Sequence, residues 1–150
     1  MSTPRPAAAA RAPRAVARSG WLTAATEIAA AWAPTAGRVL LGLVLAWFGY
    51  HELVQPALWT GYVPGFNATS TAAVILVLAH GWALLVLAVA LIAGIWVRGT
   101  AAVVALLLAQ IVIWLTIKAG LSDLTLRDVG VLGLSLCMTG TAEQRFVLAS

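Results

Sequence analysis

The residues of this chain that could do chemistry are six polar side chains that interrupt otherwise apolar stretches. Neighbouring His51 and Glu52 could exchange protons near neutral pH, because histidine ordinarily titrates in that range. The charged neighbours Arg127 and Asp128 lie near the start of the last apolar stretch. His80 and Gln110 lie singly in the second and third stretches. All six are candidates for a ligand site or a buried polar cluster: His51, Glu52, His80, Gln110, Arg127 and Asp128.

Other familiar chemistries lack their residue patterns. The two histidines do not have metal-ligand spacing on either helix, so we predict no metal site. The single cysteine, Cys137, permits no internal disulfide. The chain has no Gly-rich phosphate loop, no Ser-centred elbow and no repeated histidine pattern suited to haem. We therefore expect no catalysis by this chain without a borrowed cofactor.

The composition predicts an integral membrane protein. Of the 150 residues, 62% are hydrophobic and 9% are charged, whereas soluble domains average about 45–50% and about 25%. The net charge of +4 does not indicate a nucleic-acid partner, because five of the nine basic residues fall before position 39. No basic stripe with interleaved aromatic residues follows them. The expected surroundings are a lipid bilayer.

Four apolar stretches predict an all-α fold, an integral membrane four-helix bundle. They cover residues 39–58, 71–97, 100–117 and 124–141, and each approaches the roughly 20 residues that a bilayer-crossing helix needs. Lipid offers the backbone no hydrogen-bond partner, so each stretch must be helical. Glycines on these helices, at positions 42, 49, 130 and 133, are expected at helix contacts because small residues allow close approach.

The chain ends predict three segments outside the bundle of residues 37–142. Residues 1–18 carry four arginines among Ala and Pro, which indicates a disordered basic cytoplasmic tail. Residues 19–34 have an apolar face at helical spacing, which predicts an interfacial amphipathic helix ended by Pro34. The alternative is a first turn leading straight into the bundle. Residues 143–150 are expected to form a cytoplasmic C-terminal tail.

Basic residues predict the orientation. Seven fall on one side of the predicted spans and two on the other, and the richer side of a membrane protein is cytoplasmic. Both termini are then cytoplasmic, in a bacterial-type inner membrane, and the even number of spans that this requires is met by four. The seven are Arg5, Arg11, Arg14, Arg18, Arg38, Arg98 and Arg145, and the two are Lys118 and Arg127.

The polar residues of three spans fall at a similar predicted height. His51, Gln110 and Asp128 lie about 18–22 Å from the charged residue at the inner end of their spans. Polar groups at such depth need a partner or a water-filled cavity, so we expect all of them to face the bundle interior. The preferred pairing joins Glu52 to Arg127 and leaves Asp128 to accept a hydrogen bond from His51 or Gln110.

Three interpretations of this polar layer remain open. It could be a buried polar clasp that fixes helix register. It could be a site for the polar head of a lipophilic ligand such as a quinone, or a proton-accepting pocket beside one. It could also be a chance placement at a water-exposed rim. His80, at the outer boundary beside Gly81 and Trp82, is either an interfacial anchor or a ligand residue.

Several segments resemble DoxX-like membrane proteins. Residues 38–56, RVLLGLVLAWFGYHELVQP, followed by Trp59 and the Tyr-Val-Pro of residues 62–64, are similar to the opening of that family. The GIWVR of residues 94–98 resembles the family's second-span exit. The RDVG of residues 127–130 resembles the start of its fourth span. The resemblance covers about residues 37–142.

The resemblance implies a four-helix bundle that is often encoded or assembled with redox enzymes. Relatives include the membrane subunit of a thiosulfate–quinone oxidoreductase and partners in oxidative-stress complexes. The chain departs from the family at Glu52, where many relatives have lysine, so Glu52 would pair with Arg127 or carry a proton. His80 is the polar residue nearest to the second-span carboxylate of many relatives. Family-like positions are occupied by Arg38, Gly49, Pro56, Gly94, Arg98, Arg127 and Asp128.

The function implied by this resemblance is that of a membrane subunit or partner of a quinone- or thiol-linked redox system. Quinone is the candidate cofactor, a redox enzyme is the candidate partner, and a homo-oligomer is a candidate assembly. If the chain takes part in catalysis, it does so as the membrane subunit of a quinone-linked oxidoreductase. The alternatives are a small carrier for a lipophilic or weakly acidic solute, and a structural anchor that recruits a cytoplasmic protein through the basic tail.

Overall fold

The regular elements of the described part of the protein are all helices, which confirms the predicted all-α class. The computed structural model describes residues 13–140 and 146–148, with side chains from residue 20 onward. The elements are α1 (Pro13–Val54), two short 3₁₀ turns (Pro56–Leu58 and Thr60–Tyr62), α2 (Thr71–Ala93), α3 (Val97–Ala119) and α4 (Asp123–Gly140).

Three of the helices are long and apolar enough to cross a bilayer: Gly20–Val54 within α1, and the whole of α2 and α3. Their apolar side chains remain exposed around the outside, as lipid contact requires; Val86 and Leu106 are examples. These features indicate a membrane protein. α4 has 18 residues, is charged in its first two turns, and is not among the three. A fourth crossing therefore stays a prediction.

The four helices pack around one core. α1 lies mainly against α2 and α3 mainly against α4, with smaller contacts between α1 and α4 and between α2 and α3. The core fills the half of the molecule nearer to Arg38. It consists of Leu41, Leu45, Leu84, Ala88, Leu91, Ala101, Val104, Leu108 and Met138.

Glycines bring the backbones of α1 and α2 close together. A Cβ atom on Gly49 would lie 2.7 Å from the carbonyl oxygen of Gly81, and one on Gly42 would lie 3.1 Å from that of Ala88. Gly42 and Gly49 are seven residues apart, as are Gly81 and Ala88, which is about two helical turns. The same face of each helix therefore contacts the other helix at both points. The predicted role of Gly42 and Gly49 in helix contact is confirmed.

The glycines of α4 behave differently. A Cβ atom on Gly130 or Gly133 would meet nothing within 4 Å, and both residues are exposed. The prediction that they contact another helix of this chain is therefore wrong. The face of α4 that packs inward carries Thr125, Asp128 and Ser135 instead.

The predicted helix end at Pro34 is also wrong, because α1 runs through it without a break. A proline removes only one backbone N–H, and transmembrane helices tolerate this where neighbouring groups re-satisfy the backbone. The described part of α1 is already helical at Pro13, and the Ala and Arg residues that follow favour helix. Residues 13–18 are thus helical rather than part of a disordered tail, and residues 1–12 lie outside the described range.

One end of the molecule, which we call the tail end, gathers α1, the α2–α3 turn and the C-terminal segment. Arg38 is 1% exposed, and its Nη2 donates to the carbonyl oxygen of Phe146 at 3.0 Å. The backbone N–H of Leu148 donates to the carbonyl oxygen of Gly94 at 3.2 Å. Residues 38, 94 and 146 therefore share one end. Arg145, which the sequence prediction put on the same side as Arg38, lies outside the described residues, and the side of the membrane that this end faces stays a prediction.

Candidate polar cavity

A cavity of about 280 Å³ occupies the opposite end of the molecule, which we call the loop end. All four helices and the α1–α2 loop supply its walls, and most of the lining is aliphatic or aromatic. Five of the six sequence-predicted polar candidates line it: Glu52, His80, Gln110, Arg127 and Asp128. The structure thus brings polar groups from every helix around a single space.

Glu52 and His80 form an ion pair between α1 and α2. Nδ1 of His80 lies 2.7 Å from Oε2 of Glu52, and Glu52 is buried. The close contact of Gly49 with Gly81, one turn from Glu52 and next to His80, holds the two backbones near enough for this bond. Because Nδ1 is engaged with the carboxylate, Nε2 is the ring nitrogen left for a ligand.

Arg127 and Asp128 form the second charged pair, within α4. Nε and Nη2 of Arg127 each donate to Oδ1 of Asp128 at 3.1 Å. The guanidinium also lies over the Phe48 ring, with Cζ 4.6 Å from the ring centroid, which is a cation–π contact between α4 and α1. Ser122 positions this turn of α4, since its Oγ accepts the backbone N–H of Thr125 as an N-terminal cap.

The predicted pairing of Glu52 with Arg127 is wrong. Glu52 bonds to His80, and Arg127 bonds to its sequence neighbour Asp128. The long arginine side chain folds back along the helix to reach Asp128. The prediction also placed His80 at a lipid boundary, whereas the register of the α1–α2 hairpin brings His80 level with Glu52.

His51 does not join the cavity, so the prediction that it faces the interior is wrong. Its Nδ1 lies 2.9 Å from the carbonyl oxygen of Trp47, one turn earlier in α1. Its ring packs on the Trp47 ring at 4.2 Å between centroids, and Trp47 is 64% exposed. Because neighbours on a helix are rotated by about 100°, Glu52 facing inward turns His51 outward. Asp128 accordingly receives no hydrogen bond from His51.

Sequence reasoning missed the aromatic wall of the cavity. Trp59, Tyr62 and Trp114 all line the cavity, and none of them was among the candidate site residues. The 3₁₀ turns of the α1–α2 loop fold back across the helix ends, and Trp59 lies edge-on to Phe48 with ring centroids 6.0 Å apart. The signal was the uncharged, Pro- and Gly-rich loop, which could fold onto an apolar space rather than extend into water.

The lining of the cavity has the composition of a site for a lipophilic ligand. The lining combines a large apolar surface with two ion pairs and two tryptophans. No group of three His, Cys, Asp or Glu side chains that could hold a metal ion occurs in residues 20–140 and 146–148. Such a cavity can accommodate a lipophilic molecule and orient its polar head. Comparison of the chain with protein-family models, curated proteins and solved structures found no match.

Proposed function

We propose that this protein is a four-span, DoxX-like protein of a bacterial-type inner membrane. Its cavity binds a quinone-like lipophile, and the protein acts as the membrane partner of a redox enzyme. The observation that carries the proposal is the cavity at the loop end, walled by all four helices and bearing Glu52, His80, Arg127 and Asp128 among apolar side chains.

The lining favours a ligand with an apolar body and a polar head. Small-molecule sites are mostly apolar with a few placed polar groups, and they begin at about 300 Å³, close to the size of this cavity. A quinone ring presents two carbonyl oxygens on a flat apolar frame. Arg127 supplies hydrogen-bond donors near such a polar head, and Phe48 and Trp114 supply flat apolar walls.

The proposed topology places α4 as the fourth crossing with both termini in the cytoplasm. Two features support it. The tail end gathers Arg38, the α2–α3 turn and the C-terminal segment, and the sequence puts most basic residues at that end. The charges of α4 lie in its first two turns, at the loop end, so twelve residues with no charge follow Asp128.

The proposed redox partner follows from chemistry and from the sequence resemblance. The chain has no pattern for a cofactor of its own, so electrons for a bound quinone must come from another protein. The DoxX-like segments at residues 38–64, 94–98 and 127–130 support a membrane partner of a quinone- or thiol-linked enzyme.

The two histidines provide a matched test of the proposal. Protein purified in mild detergent is extracted, and the bound lipids are identified by mass spectrometry. We expect a co-purified quinone that is lost from His80→Ala, whose side chain lines the cavity, and retained by His51→Ala, whose side chain packs on Trp47 outside it. Equal retention by both variants, or no quinone in the wild type, would contradict the proposal.

A second assay distinguishes the carrier alternative. The core packs apolar side chains on the tail-end side of the cavity. We therefore expect liposomes that contain the protein to show no solute uptake above empty liposomes when electron donors are absent. Uptake of a weak lipophilic acid under those conditions would establish a carrier and overturn the redox assignment.

A further inference from the structure

Two hydrogen-bond donors in the cavity lack an acceptor among the described residues. The indole nitrogens of Trp59 and Trp114 are both buried and make no hydrogen bond, and both residues line the cavity. An indole nitrogen can only donate. Buried donors in native proteins nearly always have an acceptor, supplied by protein, water or ligand. Among the described residues neither nitrogen has an acceptor, and a ligand in the cavity would be in contact with both tryptophan residues.

None of the hydrogen bonds formed by the cavity's two carboxylates involves an indole nitrogen. Oε2 of Glu52 is bonded to His80, and Oδ1 of Asp128 takes two hydrogen bonds from Arg127. Each of the two indole N–H groups therefore lacks an acceptor among the described residues. These donors also come from separate walls, Trp59 from the α1–α2 loop and Trp114 from α3, so they can hold two different atoms of one ligand.

We propose that the cavity selects lipophiles whose polar head carries two hydrogen-bond acceptor oxygens, which the indole N–H groups of Trp59 and Trp114 bind. The inference rests on the proposed function, in which the cavity holds a lipophile, and it adds the chemistry of the head. Carbonyl oxygens satisfy both donors. A head that offers only donors, such as an ammonium group, leaves both of them unmatched.

The test compares two ligands that differ in their oxygens. The full-length protein in detergent micelles is titrated calorimetrically with decyl-benzoquinone, which has two carbonyl oxygens, and with decylbenzene, which has none. Trp59→Phe and Trp114→Phe keep an aromatic ring and remove the N–H donor. Trp82→Phe on α2 is the matched control, because Trp82 is 62% exposed and does not line the cavity.

We expect Trp59→Phe and Trp114→Phe each to weaken decyl-benzoquinone binding about three- to tenfold, the share of one hydrogen bond. Decylbenzene binding should stay unchanged in both, and Trp82→Phe should alter neither ligand. If the wild type binds the quinone but both variants bind it equally well, or weaken both ligands alike, the acceptor assignment is wrong while the lipophile site stands. If the wild type binds neither ligand, the proposed function fails as well.

Discussion

The Glu52 carboxylate shows how one residue links the fold to the site. It is buried on α1, faces the cavity and has His80 as its partner on α2. A buried carboxylate without a partner is strongly disfavoured, and the bond to His80 both relieves this and ties two helices together. The two histidines of the chain therefore differ in role. His80 bonds to the buried Glu52 carboxylate, whereas His51 packs on Trp47 outside the cavity.

Loss of the His80 side chain should therefore destabilise the protein. His80→Ala strands Glu52, and we expect a loss of about 1–3 kcal/mol in unfolding free energy, the cost of leaving a buried polar group without its partner. His51→Ala should cost less than about 0.5 kcal/mol, as substitutions at exposed positions do. Thermal unfolding in detergent, followed by circular dichroism, measures both. Equal losses for the two variants would remove the distinction between the histidines.

A double-mutant cycle separates the observed pairing from the one that the sequence suggested. Glu52→Gln and His80→Ala should be strongly coupled, with an interaction energy above about 0.5 kcal/mol, because their side chains bond directly. Glu52→Gln and Arg127→Met should be additive within about 0.5 kcal/mol, since Arg127 bonds to Asp128. Unfolding free energies of the single and double variants provide the test. Strong coupling of Glu52 with Arg127 would restore the earlier pairing.

The α1–α2 hairpin is the element that positions the ion pair. Gly49 and Gly81 let the two backbones approach until a Cβ on Gly81 would lie 3.0 Å from the Gly49 carbonyl oxygen and 3.1 Å from the Glu52 Cβ. A backbone carbonyl in a packed helix cannot move aside, so the spacing of the helices depends on the absence of side chains here. Glu52 and His80 meet because this contact lies beside them.

Gly81→Ala should push the helices apart and weaken the Glu52–His80 bond. Forcing extra volume into a packed contact costs about 1–3 kcal/mol, which we expect as a loss of unfolding free energy. Gly130→Ala is the matched control, because it also lies inside a helix and its Cβ would meet nothing within 4 Å. There we expect a gain of about 0.5–1 kcal/mol from helix propensity. A similar change at both positions would show that the close approach is not needed.

The positions of the helices along the sequence were largely predictable, and the register of one helix against its neighbour was not. Apolar stretches of nearly 20 residues predicted the helices, and Gly42 and Gly49 predicted the contact face of α1. The helix end predicted at Pro34 was wrong, because the loss of one backbone hydrogen bond does not end a long helix. The Glu52–His80 pair was hidden by depth counting from Arg38 and Arg98, which assumes equal starting heights. The register of a hairpin depends instead on contacts such as Gly49 with Gly81, which one sequence does not reveal.

At the scale of the whole molecule, the two ends of the helices have different structures. The loop end holds the cavity, closed over by the α1–α2 loop. The tail end is filled: Arg38 is buried against the C-terminal segment, and the ring of Phe146 lies 6.0 Å from that of Trp32. Gly94, in a left-handed conformation at φ 73°, makes room for both Arg38 and residues 146–147.

Gly94→Ala should therefore disrupt the tail end. Its Cβ would collide with the Arg38 guanidinium and lie 2.9 Å from the Phe146 carbonyl oxygen, and the left-handed backbone costs a non-glycine residue about 1–2 kcal/mol. We expect at least that loss of unfolding free energy. Faster proteolysis of the C-terminal residues should accompany it, measured by mass spectrometry of digests. Gly61→Ala, in open space on the loop, should change neither. An unchanged digest for Gly94→Ala would show that the C-terminal contact is unimportant.

The site was predictable in composition and unpredictable in shape. The chemistry of five lining residues followed from polar side chains in apolar spans, because lipid penalises them unless protein encloses them. The aromatic wall of Trp59 and Trp114 did not follow, since an interfacial belt and a cavity lining use the same residues. Only the folding of the loop over the helix ends distinguishes them.

The central claim is that a lipophile occupies the cavity lined by the four helices. Photolabelling of the detergent-purified protein with an azido derivative of decyl-benzoquinone, followed by peptide mass spectrometry, tests it directly. The account predicts labels on cavity residues of several elements, among them Phe48, Trp59 and Trp114, that unlabelled decyl-benzoquinone suppresses. Labels confined to the exposed outer faces, at Trp47, Trp82 or Leu106, and not suppressed by competitor, would contradict it.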